Sequence, residues 1–169
     1  MCIRDRDNSF DDLQVSPTLE LTGIEYYWIV SKSADMCVEV TGSSTSDGAD
    51  IDLGLQDDAD NMLWLLESLG NGYYKIVARH SGKCLQVDQA SQLNGATVSQ
   101  GTYTGAGNQQ WKLEQAEDGY YRLLAKHSRK YLTAGNGTVV DPMDAYQWFK
   151  TDSNDQLWDL KSLGLFIPD

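Results

Sequence analysis

Residues 72–113, GYYKIVARHSGKCLQVDQASQLNGATVSQGTYTGAGNQQWKL, decide the fold, because the same order of residue types stands one period earlier and one period later. Tyr73-Tyr74 has counterparts in Tyr26-Tyr27 and Tyr120-Tyr121, each 47 residues away. Trp111 has counterparts in Trp64 and Trp158 at the same interval. Ile29, Ile76 and Leu123 keep this register, as do Val38, Leu85 and Leu132, and Leu66, Leu113 and Leu160. So do Cys37, Cys84 and Tyr131, and the turn residues Gly48 and Gly95, with Pro142 in the third copy. A period shared by apolar and turn positions marks repeated structural units. The copies run over 26–72, 73–119 and 120–163.

Within the quoted copy, Tyr73–Ala78 is aromatic and β-branched, a strand signal. His80–Lys83 reads as a turn and Cys84–Val87 as a second strand. Asp88–Gly95 is a polar loop closed by Asn94-Gly95, a pair that tolerates positive φ. Ala96–Gln100 reads as a third strand, Thr104–Asn108 as a loop, and Gln109–Leu113 as a fourth strand with Trp111 and Leu113 on one face. Four strands in each of three copies predict an all-β molecule of twelve strands, with no sustained helical periodicity. A single copy cannot bury its own apolar face, so the three must close on one another, which removes most sheet edges. Propeller blades have a similar period, but three blades fall below the usual minimum of about four.

The chain has 169 residues, 41% of them hydrophobic, and a net charge of −12 from 13 basic and 25 acidic residues. That length suits one domain with a real core. The negative charge repels nucleic-acid phosphates and anionic membrane surfaces, whereas neutral sugars are compatible with it. No apolar run is long enough to span a membrane. Met1–Asp12 lacks the apolar core of a secretory signal, and the expectation is that the natural start lies upstream. Residues 1–24 read as a tail, linker or sequence artefact, 25–163 as the folded domain, and 164–169 as a trailing end. The three cysteines, Cys2, Cys37 and Cys84, form neither a disulfide framework nor a metal-ligand spacing. Cys37 and Cys84 read as small buried hydrophobes. No metal and no cofactor is expected.

Gly-Tyr-Tyr-x-Ile/Leu, Lys-Cys-Leu-x-Val, Asn-Gly-Ala-x-Val and Asn-Gln-Gln-Trp together resemble the ricin B-type lectin family, whose signature is Gln-x-Trp once per repeat. It stands here as Gln109-Gln110-Trp111 and Gln156-Leu157-Trp158, with Met62-Leu63-Trp64 as a partial form. The resemblance covers about Glu25 to Leu163. It implies a β-trefoil of three ~47-residue repeats and a carbohydrate partner. Modules of this family are often attached to glycoside hydrolases and other secreted proteins. The resemblance therefore also implies an extracellular or cell-surface setting and a possible upstream catalytic domain.

A sugar offers an apolar ring face and a rim of hydroxyls. It needs a flat aromatic surface and polar groups that bind neighbouring hydroxyls. The family's pocket uses an Asp on the second strand, an aromatic on or after the third, and the Asn-Gln before the Trp. Carried over by position, the first copy offers Glu39, Asp52 and Asn61, with Gly54 where the aromatic should stand. The second offers Gln86, Ser99, Asn108 and Gln109, with Gly101 at the aromatic position and Tyr103 nearby. The third offers Tyr146, Trp148, Asp155 and Gln156. Thr133 replaces its Asp, and Asp141 or Asp144 stands ready to compensate. The third copy ranks first, because a ring face is the hardest part to replace.

Other roles compete for these residues. Trp64, Trp111 and Trp158 read as core pillars. The Gln of Gln-x-Trp also suits buried loop backbone, and Trp148 packs the core if its strand face points inward. The tyrosine pairs read as barrel packing. His80 and His127 occupy equivalent turns of different copies, so they cannot share one catalytic triad. The competing functions are an enzyme with a carboxylate pair and a protein-contact module with degenerate sugar pockets.

Overall fold

A computed structural model describes residues 23–135 and 142–166. Twelve strands lie among the described residues. In chain order they are β1 (Ile24–Ser31), β2 (Cys37–Val40), β3 (Ile51–Gly54), β4 (Trp64–Gly70), β5 (Tyr73–Ala78) and β6 (Cys84–Val87). They continue with β7 (Val98–Gly101), β8 (Trp111–Gln115), β9 (Tyr121–Ala125), β10 (Tyr131–Ala134), β11 (Met143–Trp148) and β12 (Trp158–Phe166). No helix among these residues is long and apolar enough to cross a membrane.

Six strands close into a ring. β1 pairs with β4, β4 with β5, β5 with β8, β8 with β9, β9 with β12, and β12 returns to β1, all antiparallel. The other six form three hairpins, β2–β3, β6–β7 and β10–β11, one from each copy. The hairpins join one another through Asp50↔Ser99, Thr97↔Tyr146 and Asp144↔Asp52. These three pairs are related by the 47-residue period, so the hairpins form a closed triangle over one end of the barrel. The three copies close on one another as the repeat predicts, in the β-trefoil that the resemblance implies.

The core lies between barrel and triangle. Ile29, Ile76 and Leu123 of the barrel meet Val38, Leu85 and Leu132 of the hairpins, all fully buried. Trp64, Trp111 and Trp158 are 0% exposed. Their indole N–H groups donate to the carbonyls of Val38, Leu85 and Leu132 at 2.9, 3.0 and 3.1 Å. Each tryptophan thus ties a barrel strand to the hairpin of its own copy and satisfies a carbonyl in the interior. Cys37 and Cys84 are buried free thiols. Burial pushes their pKa up, to about 12 for Cys37 and about 11 for Cys84.

The strand limits differ from the sequence reading in three places. The third strand of the middle copy starts at Val98 rather than Ala96. Its fourth strand starts at Trp111, because Gly107–Gln109 form a 3-10 turn. There the Gln109 side chain holds the preceding loop, which draws the residue out of the strand. The last strand continues to Phe166, past the 163 boundary, because β1 pairs with it as far as Ile24↔Phe166.

Candidate functional site

Each copy's candidate residues are assembled by its hairpin and by the 3-10 turn before its core tryptophan. Glu39 faces Asp52 across β2–β3, Gln86 faces Ser99 across β6–β7, and Thr133 faces Tyr146 across β10–β11. The turn then presents Asn61, Asn108–Gln109 or Asp155–Gln156 to that pair. What the three sites offer a ligand is different in each copy.

In the first copy, Asn61 is buried and donates from Nδ2 to the Val40 carbonyl at 2.9 Å. Asp52 accepts from the Thr41 hydroxyl at 2.9 Å. The Glu39 side chain lies over Gly54, where any Cβ would fall on its carboxylate. The second copy is closed upon itself. Asp88 accepts from both Thr97 and Ser99, and Gln86 donates to Ser99 at 3.1 Å. Gln109 donates to Gln86 at 2.9 Å, and Asn108 donates to the Val87 carbonyl at 2.8 Å. Gln86 fills the space beside Gly101 as Glu39 does beside Gly54. Tyr103 carries the Lys75 ammonium 4.7 Å from its ring centroid, so one face of that ring is already covered.

Gln109 and Gln156 are buried and bond within the protein. Gln109 accepts from the Thr104 N–H at 2.8 Å and donates to the Thr102 carbonyl at 2.9 Å. Gln156 accepts from the Thr151 N–H at 2.8 Å and donates to the Phe149 carbonyl at 2.9 Å and to Thr133 Oγ1 at 3.2 Å. These bonds tie each glutamine to the loop that precedes its tryptophan. The buried loop carbonyls and amides are what demand them.

The third copy is built differently. Thr133 is small and buried, donating to its strand's own Tyr131 carbonyl at 3.0 Å. Thr133 does not reach over its neighbour as Glu39 and Gln86 do, and Trp148 occupies the position of Gly54 and Gly101. Trp148 is partly exposed. Its ring meets Tyr146 edge-on at 6.0 Å and lies tilted against Phe149 at 5.7 Å. A Cβ placed on Gly95 of the neighbouring copy would lie 3.6 Å from the Trp148 ring. Asp144, Tyr146 and Trp148 alternate along β11 and so share a face. Tyr146 donates its hydroxyl to the Gly135 carbonyl. Burial first, and then the charges of Asp155 and Asp144, raise its pKa. Asp155 Oδ1 is a buried oxygen with no hydrogen-bond partner among the described residues. Asp141 lies outside the described residues.

The sequence reading missed a second set of polar residues. Gln100 and Gln147 are fully buried and join neighbouring copies. Gln100 donates to the Ser44 and Ser46 carbonyls, both at 2.8 Å, and Gln147 to those of Ser91 and Leu93 at 2.8 and 2.7 Å. Their 47-residue spacing was a usable signal, although Leu53 interrupts it in the first copy. His80 and His127 are further ties, with Nε2 at 2.7 Å from the Ser44 carbonyl and 2.8 Å from that of Ser91. No group of His, Cys, Asp and Glu among the described residues suits a metal ion.

The family description "Ricin-type beta-trefoil lectin domain-like" matches residues 18–101 and 107–165. A designed protein of threefold symmetry, ThreeFoil, is 43% identical, with 82% of this chain and 99% of that one covered and a TM-score of 0.80. The exo-β-1,3-galactanase 1,3Gal43A from Clostridium thermocellum is 29% identical, covering 86% of this chain but 31% of its own, with a TM-score of 0.79. The Polyporus squamosus lectin, solved bound to Neu5Acα2-6Galβ1-4GlcNAc, is 21% identical. It covers 83% of this chain and 50% of its own, with a TM-score of 0.71, and shows likeness of fold alone. A search of curated proteins returns no match. The closed barrel, the hairpin triangle and the match along most of the length agree: the chain belongs to the family of ricin-type β-trefoil lectin-like domains.

Proposed function

We propose that this chain is a carbohydrate-binding module that holds a larger secreted protein on polysaccharide, and that its third copy is the principal site. One observation carries this reading: only the third copy presents a partly exposed indole, with Tyr146 and Asp144 on the same strand face. The indole supplies the ring surface, and Asp144 and Asp155 supply acceptors for hydroxyls. The first copy, with Glu39, Asp52 and Asn61, adds a weaker polar contact. The second, with Gln86, Ser99 and Asn108, has its polar groups engaged with one another and contributes least. Weak sites still serve a polymer: a Kd near 1 mM is only about −4 kcal/mol, and two sites on one rigid body reinforce each other when one chain spans both.

The reading includes an extracellular or cell-surface setting and a catalytic domain elsewhere in the parent chain. The galactanase, of which this chain matches 31%, supports the second point. Surface sites repeated at the 47-residue period, rather than one deep cleft, favour binding over catalysis by this chain. The test compares the intact chain with Trp148→Ala on glycan arrays and immobilised polysaccharides. The expected result is retention by the intact chain and its loss in the variant. Equal retention by both would remove Trp148 from the site.

A second reading, a protein-contact module, draws on the self-satisfied polar network of the second copy. No retention by the intact chain on any glycan would favour it.

A further inference from the structure

The end of the barrel opposite the hairpins carries chemistry that the carbohydrate reading does not use. It opens into a cavity of about 690 Å³, within the range of small-ligand pockets. Tyr27, Tyr74 and Tyr121 stand on its wall, one from each copy, and Leu66, Leu113 and Leu160 stand with them. Tyr27 faces inward because it shares a strand face with buried Ile29, and the 47-residue period places the other two likewise. The three phenols are near neighbours: burial first, then Glu25, and then the charges of Tyr121 and Tyr74 raise the Tyr27 pKa.

The charged residues on this wall are Glu25 and Glu67, both acidic. Glu67 is paired with Lys75 at 2.9 Å. Glu25 accepts hydrogen bonds from Ser162 and Tyr27, which lower its pKa and hold it ionised. It has no ion-pair partner among the described residues. Glu25 also breaks the repeat, since Gly72 and Gly119 stand at its position in the other copies.

An anion is disfavoured by two carboxylates and by a chain of net charge −12. The apolar leucines and aromatic rings suit a ligand whose charge is wrapped in carbon. Three aromatic rings around one axis are the surface that a quaternary ammonium prefers, since its methyl groups need no hydrogen bonds and its charge is attracted to the ring quadrupoles. Its head group also has threefold symmetry.

We propose that the open end of the barrel binds an organic cation of the trimethylammonium class, caged by Tyr27, Tyr74 and Tyr121 and balanced by Glu25. The test titrates the intact chain with choline, and separately with its neutral tert-butyl isostere, while following the tyrosine ring protons by NMR. Choline shifts the signals of these three rings saturably, and the isostere leaves them in place. Glu25→Gln and Tyr74→Leu each weaken choline binding about tenfold. Glu25→Gln changes a residue at the barrel rim, so it tests the charge without disturbing the core. Equal response to both ligands, or no response to choline, overturns the proposal. So do contacts between residues 1–22 and these rings in the intact chain, which would assign the mouth to the chain's own leading segment. Retention on polysaccharide reads the Trp148 site at the other end, so failure here and failure of the carbohydrate reading are separate results.

Discussion

A single exchange of volume separates the third site from the other two. Glu39 and Gln86 are long and lie over Gly54 and Gly101, whereas Thr133 is short and Trp148 occupies the equivalent place. These residues are diagonal neighbours on a hairpin, where large side chains compete for one volume. Glycine at the aromatic position was legible in the sequence. That its neighbour fills the space was not, because Glu39 and Gly54 are fifteen positions apart and meet only once the strands pair in register. The exchange makes a prediction. Gly101→Trp alone drives the indole into Gln86 and costs about 1–3 kcal/mol by overpacking. Adding Gln86→Thr recovers most of that loss. The threonine clears the volume and offers Gln109 a hydroxyl, as Thr133 does for Gln156 at 3.2 Å. A double-mutant cycle from urea melts measures the coupling; additive losses would show that the two positions do not share space.

The repeat revealed which hairpins exist but not what fastens them. Strands β5 and β6 follow the sequence reading residue for residue. The third and fourth strands of that copy begin later than read, because the intervening loops are shaped by side chains such as Gln109 rather than by local propensity. Buried glutamines look like surface residues in a sequence, and only the approach of another copy's loop gives Gln100 and Gln147 their partners. Gln100 bonds two carbonyls and accepts from the Ser81 hydroxyl at 2.8 Å. Gln100→Leu, which copies Leu53 of the first hairpin, takes this partner from the Ser46 carbonyl and the Ser81 hydroxyl and leaves the Ser44 carbonyl to His80 alone. The expected loss is about 1–3 kcal/mol in unfolding free energy. An unchanged urea midpoint would mean that the loop at Ser44–Ser46 is held by other contacts.

Across the whole molecule the copies are joined by contacts that recur at each junction. Lys32 lies over the Tyr120 ring and Arg79 over Tyr26 at 4.7 Å, and Lys126 over Tyr73 at 5.1 Å. Threefold architecture was legible because it needs only a period. These junctions were not, because each joins residues from different copies. Burial gives the fold a defined alkaline limit. The Cys37 and Cys84 thiols rise from 9.0 to about 12 and about 11, and the Tyr131 phenol, mainly by burial, from 10.0 to about 12. In the unfolded chain these groups ionise first, so the native state binds more protons above pH 9. Stability is therefore full below about pH 9 and falls through the window up to about 12. Urea midpoints across that range test this, and Cys37→Ala with Cys84→Ala should make the decline shallower. At neutral pH neither thiol should react with an alkylating agent until the chain unfolds. The pairing of β1 with β12 has a consequence for how the molecule can be made. Ile24 lies opposite Phe166, so entry and exit of the domain are side by side, and a short peptide bridge could join them. A circular permutant opened at Asn71, between β4 and β5, would then reach the same native state. Left in its natural order, the barrel cannot seal during synthesis until β12 has cleared the ribosome.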